Sequence, residues 1–358
     1  LYGFYDGGAE RIMINLMHSL VQRGVKIDLI VNAKTKSPYL SMLPSEVKFL
    51  AFDVGYKKGL PKLISYLQQV QPQALLSSLH YSTDIAILAK RFSRVATKVV
   101  VREANHLSTD SQNSSSLKER LTPLASRLTY PWADAIVAVS QGVAKNLTQI
   151  TGLPLSRINV IYNPTITPQM LTKSTEPLDH PWFQSGEPPV ILAVGRLEPQ
   201  KDFPTLIRAF AQVRKTTPAR LLILGSGKEK FSLEQLISEL GLENDVAMPG
   251  FVKNPYNYMK QATVFVLSSA WEGLPNVLIE AMALGTPVVA TNCPSGPEEI
   301  LANGKYGNLV PVGDVDKMAK AMAEVLSGNF QPVDSSWLQQ FTLETAIDKY
   351  LDILGIAT

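Results

Sequence analysis

At 358 residues the chain exceeds one ordinary domain, so two domains are expected, each with its own core. Hydrophobic residues make up 45% and charged ones 18%, no apolar run nears the ~20 residues of a membrane span, and the single cysteine, Cys293, excludes an internal disulfide framework and fits a reducing, cytoplasmic compartment. The net charge of +3 is uneven, with 19 Lys+Arg against 10 Asp+Glu in residues 1–165 and 15 against 21 in the rest, so a basic front half faces any anionic partner.

The opening Leu1-Tyr2-Gly3-Phe4 reads as the truncated end of a first strand rather than as a signal peptide. Asp6-Gly7-Gly8-Ala9-Glu10-Arg11 then leads into a helix over 9–23, where Ile12, Met13, Leu16 and Leu20 recur at helical spacing. Paired glycines let backbone approach a ligand at a helix start, although G-x-G-x-x-G is missing. Short β-branched runs at 25–31, 98–102 and 135–140 read as strands, separated by helices. Within this half, Leu117, Leu121 and Leu124 recur at helical spacing over 114–127 among Lys118, Arg120 and Arg127. Such a stretch is read either as a basic amphipathic helix on an anionic membrane or as a helix packed on the core, with Pro123 interrupting it.

From 164 to 189 six prolines and little periodicity mark a linker. A second alternating set follows, with strands at 190–195, 221–225, 246–248, 263–267, 287–291 and 308–310. Helices are expected at 203–215, 233–240, 276–284 and 315–326, and a last one at 343–354 stands apart. Continuous apolar strands alternating with helices imply parallel sheets covered on both faces. The expected layout is an α/β protein of two doubly wound domains, with residues 1–165 as the first, 166–189 as linker, 190–335 as the second and 336–358 as a returning helix. Ligands of such folds bind outside the carboxyl ends of the strands.

Two clusters carry chemistry. After the strand at 190–195 come Arg196 and Lys201, which suit phosphate oxygens, Arg by two parallel N–H bonds and Lys as a point charge. After the strand at 263–267 come Glu272, Gly273, Leu274, Pro275 and Asn276, then a helix carrying Glu280. Proline suits a first helical turn, the helix-start amides suit a diphosphate, and two separated carboxylates suit hydroxyls on an elongated ligand such as a sugar and a ribose. Read singly, Glu272 could equally be a solvated loop acid and Glu280 a surface helix residue.

Together these segments resemble the retaining glycosyltransferase family 4, the group 1 glycosyl transferases. The resemblance rests on EGLPNVLIEAMALGTPVVA, VGRLEPQKDFPTLIRAF and GGAER, supported by LLILGSGKE, GFVKNP, VSQGVAKNL, VIYNP, CPSGPEEIL and GNLVPVGD. It implies a GT-B fold, two Rossmann-like domains facing across a cleft, with the donor held mainly by the second and the acceptor by the first. It gives Arg196 and Lys201 the donor diphosphate, Glu272 the transferred sugar and Glu280 the ribose. The amides of Gly273, Leu274, Pro275 and Asn276 add donor contacts, and Phe251, Val252, Lys253 and Asn254 match the base-contacting region. Gly7 and Gly8 match the loop that nears the phosphates. Members often carry an active-site histidine after a first-domain strand, and His80 and His106 both compete for that role. His106 is favoured by its closeness to the strand at 98–102, although Arg102-Glu103 occupies the usual place.

The implied reaction moves a hexose or N-acetylhexosamine from a nucleotide diphosphate sugar, UDP preferred, to a glycan or lipid-linked hydroxyl. Glu272, Arg196, Lys201 and His106 are the catalytic candidates. Neither metal nor cofactor is expected, since Asp314-Val315-Asp316 reads as a helix start. Nucleic acid is not an expected partner, whereas an anionic membrane surface is, with attachment at its inner face. A nucleotide-sugar epimerase and a catalytically idle sugar-nucleotide-binding protein are the alternatives.

Overall fold

A computed structural model of the protein describes residues 7–31, 38–54, 56–78, 80–114 and 116–357. The strand expected at Leu1–Phe4, and Asp6, lie outside them. The chain forms two compact units, Leu1–Thr165 with Gln340–Thr358, and Ile166–Gln339.

In the first unit α1 (Gly8–Gln22) precedes the parallel pair β1 (Asp28–Val31) and β2 (Lys48–Ala51). Then follow α2 (Tyr56–Val70), β3 (Ala74–Ser78), α3 (His80–Ser93), β4 (Lys98–Glu103), α4 (Leu107–Asn113), α5 (Leu117–Arg120), α6 (Thr122–Thr129), β5 (Ala135–Ala138), α7 (Gln141–Thr151) and β6 (Ile158–Val160). Strands β3-β4-β5-β6 form a parallel sheet in that order. Val99, Val100 and Val101 of β4 are fully buried, as expected of a strand covered on both faces.

The second unit contains α8 (Pro168–Ser174), β7 (Val190–Val194), α9 (Phe203–Arg214), β8 (Arg220–Leu224), α10 (Lys230–Glu239), β9 (Val246–Gly250), α11 (Tyr256–Gln261), β10 (Val264–Leu267), α12 (Asn276–Ala283), β11 (Val288–Thr291), α13 (Pro297–Ile300), β12 (Asn308–Val310), α14 (Val315–Leu326) and α15 (Ser335–Leu338). Its sheet runs β12-β11-β10-β7-β8-β9, all parallel. The order reverses between β7 and β10, and a doubly wound sheet opens a crevice beyond the strand ends at that reversal. Asp314 caps α14 by accepting from the Lys317 amide at 2.9 Å.

Two boundaries differ from the sequence expectation. Residues 166–189 belong to the second unit and are not a bare linker: Thr167 caps α8 through the Met170 amide, and Pro168 fits its first turn. At the other end, α15 stays with the second unit because Trp337 Nε1 donates to the Ile300 carbonyl at 2.8 Å. The chain rejoins the first unit from Gln340, and α16 (Leu343–Leu354) packs there against α1, β3 and β4. The basic stretch 114–127 is also not one helix, since α5 and α6 break at Leu121 with Pro123 in the first turn of α6.

Candidate functional site

The loops that leave β7 and β10, the two strands at the reversal, are tied together. The Ala270 amide donates to the Gln200 carbonyl at 2.8 Å, the Gln200 side-chain amide donates to the Trp271 carbonyl at 2.9 Å, and Ser268 Oγ donates to the Lys201 carbonyl at 2.6 Å. These bonds bring Lys201 to Glu272, with Nζ 2.5 Å from Oε1. Ser269 Oγ, fully buried, donates to the same Oε1 at 2.7 Å. One carboxylate oxygen thus receives an ammonium and a hydroxyl, a charge-assisted arrangement that locks the Glu272 rotamer. Glu272 is therefore no solvated loop acid: it is buried and held across two loops.

The β11 loop buttresses the same turn. The Glu272 amide donates to the Pro294 carbonyl at 3.3 Å, Ser295 Oγ donates to the Gly273 carbonyl at 2.7 Å, and Thr291 Oγ1 donates to the Ser269 carbonyl at 2.6 Å. Cys293 is buried here, and burial, with the Glu272 carboxylate adding to it, pushes its thiol up to about 12. It therefore stays protonated and is no nucleophile at neutral pH. On the other flank the β8 loop crosses close to the β7 loop. A Cβ on Gly225 would overlap the Gly195 carbonyl, and one on Gly227 would overlap that of Leu197, so only glycine permits the crossing.

Pro275 is the cap of α12 rather than its first residue, and Glu280 lies one turn inside that helix, buried rather than on the surface. The start of α12 directs its positive dipole end at the turn holding Gly273 and Leu274. Arg196 is exposed beside this assembly, and among the described residues it makes no ion pair. Val252 is half-buried and Phe251 exposed after β9. Asn254, matched to the base-contacting region, has its side chain engaged within its own unit. Its amide nitrogen donates to the Lys173 carbonyl at 2.9 Å and to Glu176 at 2.7 Å, pinning the segment after α8.

In the first unit Gly7 caps α1 and Gly8 opens it. His80 begins α3, but its side chain lies outside the described residues. His106 caps α4, with Nδ1 2.9 Å from Thr109 Oγ1, and burial holds its imidazole below the ordinary range. Its loop is fixed from two sides. Glu103 Oε1 accepts the amides of Ala104 and Asn105 at 3.0 and 3.2 Å, and Oε2 accepts the Tyr130 hydroxyl at 2.9 Å. Asn146 of α7 exchanges two hydrogen bonds with Ser108, accepting its amide at 3.3 Å and donating to its hydroxyl at 2.7 Å. Burial pushes the Glu103 carboxyl up to about 7. Arg102, fully buried, donates to Ser78 Oγ at 2.9 Å and to Asn163 Oδ1 at 2.6 Å, and it also bonds Tyr350 of α16.

Sequence reasoning missed Ser269, Cys293, Tyr130, Asn146, Asn163 and the two glycines of the β8 loop. The Ser-x-x-Glu spacing at 269–272 and the paired glycines at 225 and 227 were signals that could have exposed three of them. Cys293, Asn146 and Asn163 lie within CPSGPEEIL, VSQGVAKNL and VIYNP, where the resemblance gave them no role, and Tyr130 left no local trace.

Comparison with known proteins gives the family and the fold. The family description "Glycosyl transferases group 1" matches residues 176–337, and "Glycosyltransferase Family 4" matches residues 6–167. An uncharacterized glycosyltransferase of Methanocaldococcus jannaschii is 30% identical over 76% of this chain and 66% of its own length. The N-acetylgalactosamine-N,N'-diacetylbacillosaminyl-diphospho-undecaprenol 4-alpha-N-acetylgalactosaminyltransferase of Campylobacter jejuni is 29% identical over 91% of this chain and 88% of its own. Among solved structures, Anabaena HepE in complex with UDP and glucose superposes with a TM-score of 0.78 at 21% identity, covering 99% of this chain and 98% of that one. The lipopolysaccharide outer core galactosyltransferase WaaB superposes at 0.71 with 23% identity over 98% of each chain, so the fold is GT-B.

Proposed function

The chain belongs to the group 1, family 4 glycosyltransferases, and from that premise we propose that it moves a hexose or N-acetylhexosamine from a UDP-sugar to a glycan or lipid-linked hydroxyl with retention, without a metal. The observation that carries this reading is the Lys201–Glu272 contact at 2.5 Å, made across the loops of the two strands flanking the sheet reversal. It sets a cation for a diphosphate next to a fixed acid for sugar hydroxyls, beside the dipole of α12. The acceptor class and the uridine preference draw support from the undecaprenol-diphosphate named for the C. jejuni relative and the UDP named for HepE.

No protein nucleophile is required. Glu272 is engaged by Lys201 and Ser269, and Cys293 is a buried thiol. The acceptor oxygen forms a bond to the anomeric carbon as the bond to the diphosphate breaks on the same face, and the acceptor proton passes to the departing phosphate oxygen. Arg196, Lys201 and the helix start hold the charge that develops on the diphosphate, the task a metal performs elsewhere.

Thermal unfolding against a panel of UDP- and GDP-sugars tests the donor, since a ligand of the native state alone raises Tm. A shift with UDP-sugars, and acceptor-dependent UDP release that survives EDTA, are the expected results. Epimerised donor without any acceptor requirement, or activity abolished by chelation, would overturn the reading.

A further inference from the structure

The first unit exposes an apolar ridge that its core does not use. Leu117, Leu121, Leu124 and Leu128, along α5 and α6, are 57–75% exposed, so the core-packing reading of these leucines fails. Phe92 at the end of α3 is 60% exposed, and Trp132, just past α6, is 46% exposed. α3 packs against α6 and against the turn that carries Trp132, which makes the ridge one continuous surface. Cations surround it. The Arg91 guanidinium lies 4.6 Å from the Trp132 ring centre, and Arg94, Lys118, Arg120 and Arg127 are all exposed. Among the described residues no carboxylate pairs with Arg94, Arg120 or Arg127.

We propose that this face docks on an anionic lipid bilayer, with the leucines and Phe92 entering the headgroup boundary, Trp132 at the interface and the arginines on lipid phosphates. An apolar ridge with a basic rim matches an interfacial element, and an aromatic ring beside a cation suits the depth where headgroup meets acyl chain. A second copy fits worse, because a two-fold contact through this patch would set its arginines against one another. The loop of His106 leads into α4, which packs against α5 and α6, so docking brings that loop to where a lipid-linked acceptor resides. The proposal rests on the acceptor reading above only in this last respect, and vesicle binding needs no turnover, so the two fail separately.

The intact protein is sedimented with phosphatidylcholine vesicles, with and without phosphatidylglycerol, at low and high salt. Binding to the anionic vesicles alone, weakened by salt, is expected. Leu124→Gln/Leu128→Gln and Arg120→Glu/Arg127→Glu should each lower partitioning at least about tenfold. Both pairs are exposed, so Tm and the UDP-induced shift should stay at the wild-type values. No binding to anionic vesicles at low salt overturns the proposal. Binding that ignores the leucine changes, or light scattering that shows a dimer lost in the leucine variant, overturns it as well.

Discussion

Glu272 in the second unit, past the end of β10, and Glu103 in the first, the last residue of β4, are both buried carboxylates, yet their partners differ in kind. Glu272 meets an ammonium and a hydroxyl on one oxygen. Glu103 is bonded by neutral donors, two amides and a phenol; burial outweighs them, and the Asp110 charge adds to the rise. A cation compensates the desolvation of a carboxylate where neutral donors fall short. The second unit thus sets a carboxylate beside a cation at a fixed point, whereas burial in the first pushes the Glu103 carboxyl up to about 7.

The largest expected effect tests the first unit's buried polar network. Arg102→Ala would take a buried donor away from Ser78, Asn163 and Tyr350 and loosen α16. We expect a loss of about 3 kcal/mol or more in urea unfolding, from roughly 1–3 kcal/mol for each donor removed. A loss below about 1 kcal/mol would mean that this network does not anchor α16. Next is the second unit's ion pair: Glu272→Gln keeps the shape and removes the charge, and kcat should fall about 10²–10³-fold, with Tm lowered as well because Lys201 loses its counter-charge. Near-normal turnover in a folded variant would dissolve the proposed site.

The smallest effect sharpens the contrast between the two acids. The Glu103 carboxyl rises from an ordinary 4.5 to about 7, so between these values the folded state binds more protons than the unfolded one. Stability contributed by this group is therefore present below about pH 4.5 and lost as pH rises towards 7, by about 1.4 kcal/mol per pH unit at most. Glu103→Gln should flatten that slope in unfolding measured from pH 4.5 to 7.5, and an unchanged slope would assign the titration to another group.

Much of the molecule was legible from local pattern. Strands such as β7 and β10, buried on both faces, read as unbroken apolar runs, and the helices between them carry the 3.6-residue period, so element order and the α/β class followed directly. The Arg196–Lys201 and Glu272–Glu280 segments were legible because a strand end, a turn and a helix start lie within twenty residues of each other. The linker was misjudged because prolines mark turns and helix starts alike, and Thr167-Pro168 is a helix start.

What only the tertiary structure decided are the meetings of groups far apart in the chain. Lys201 and Glu272 are 71 residues apart, and their contact exists because β7 and β10 are neighbours in the sheet. Ser269 was near enough to be noticed, but its role depends on the rotamer that this pairing selects. Only the fold gives the Asn254 amide its bond to α8, and the leucines of α5 and α6 looked equally suited to core or surface until packing left them outside. Periodicity states that a helix has an apolar face, but which surface that face meets depends on neighbours brought in by the whole fold.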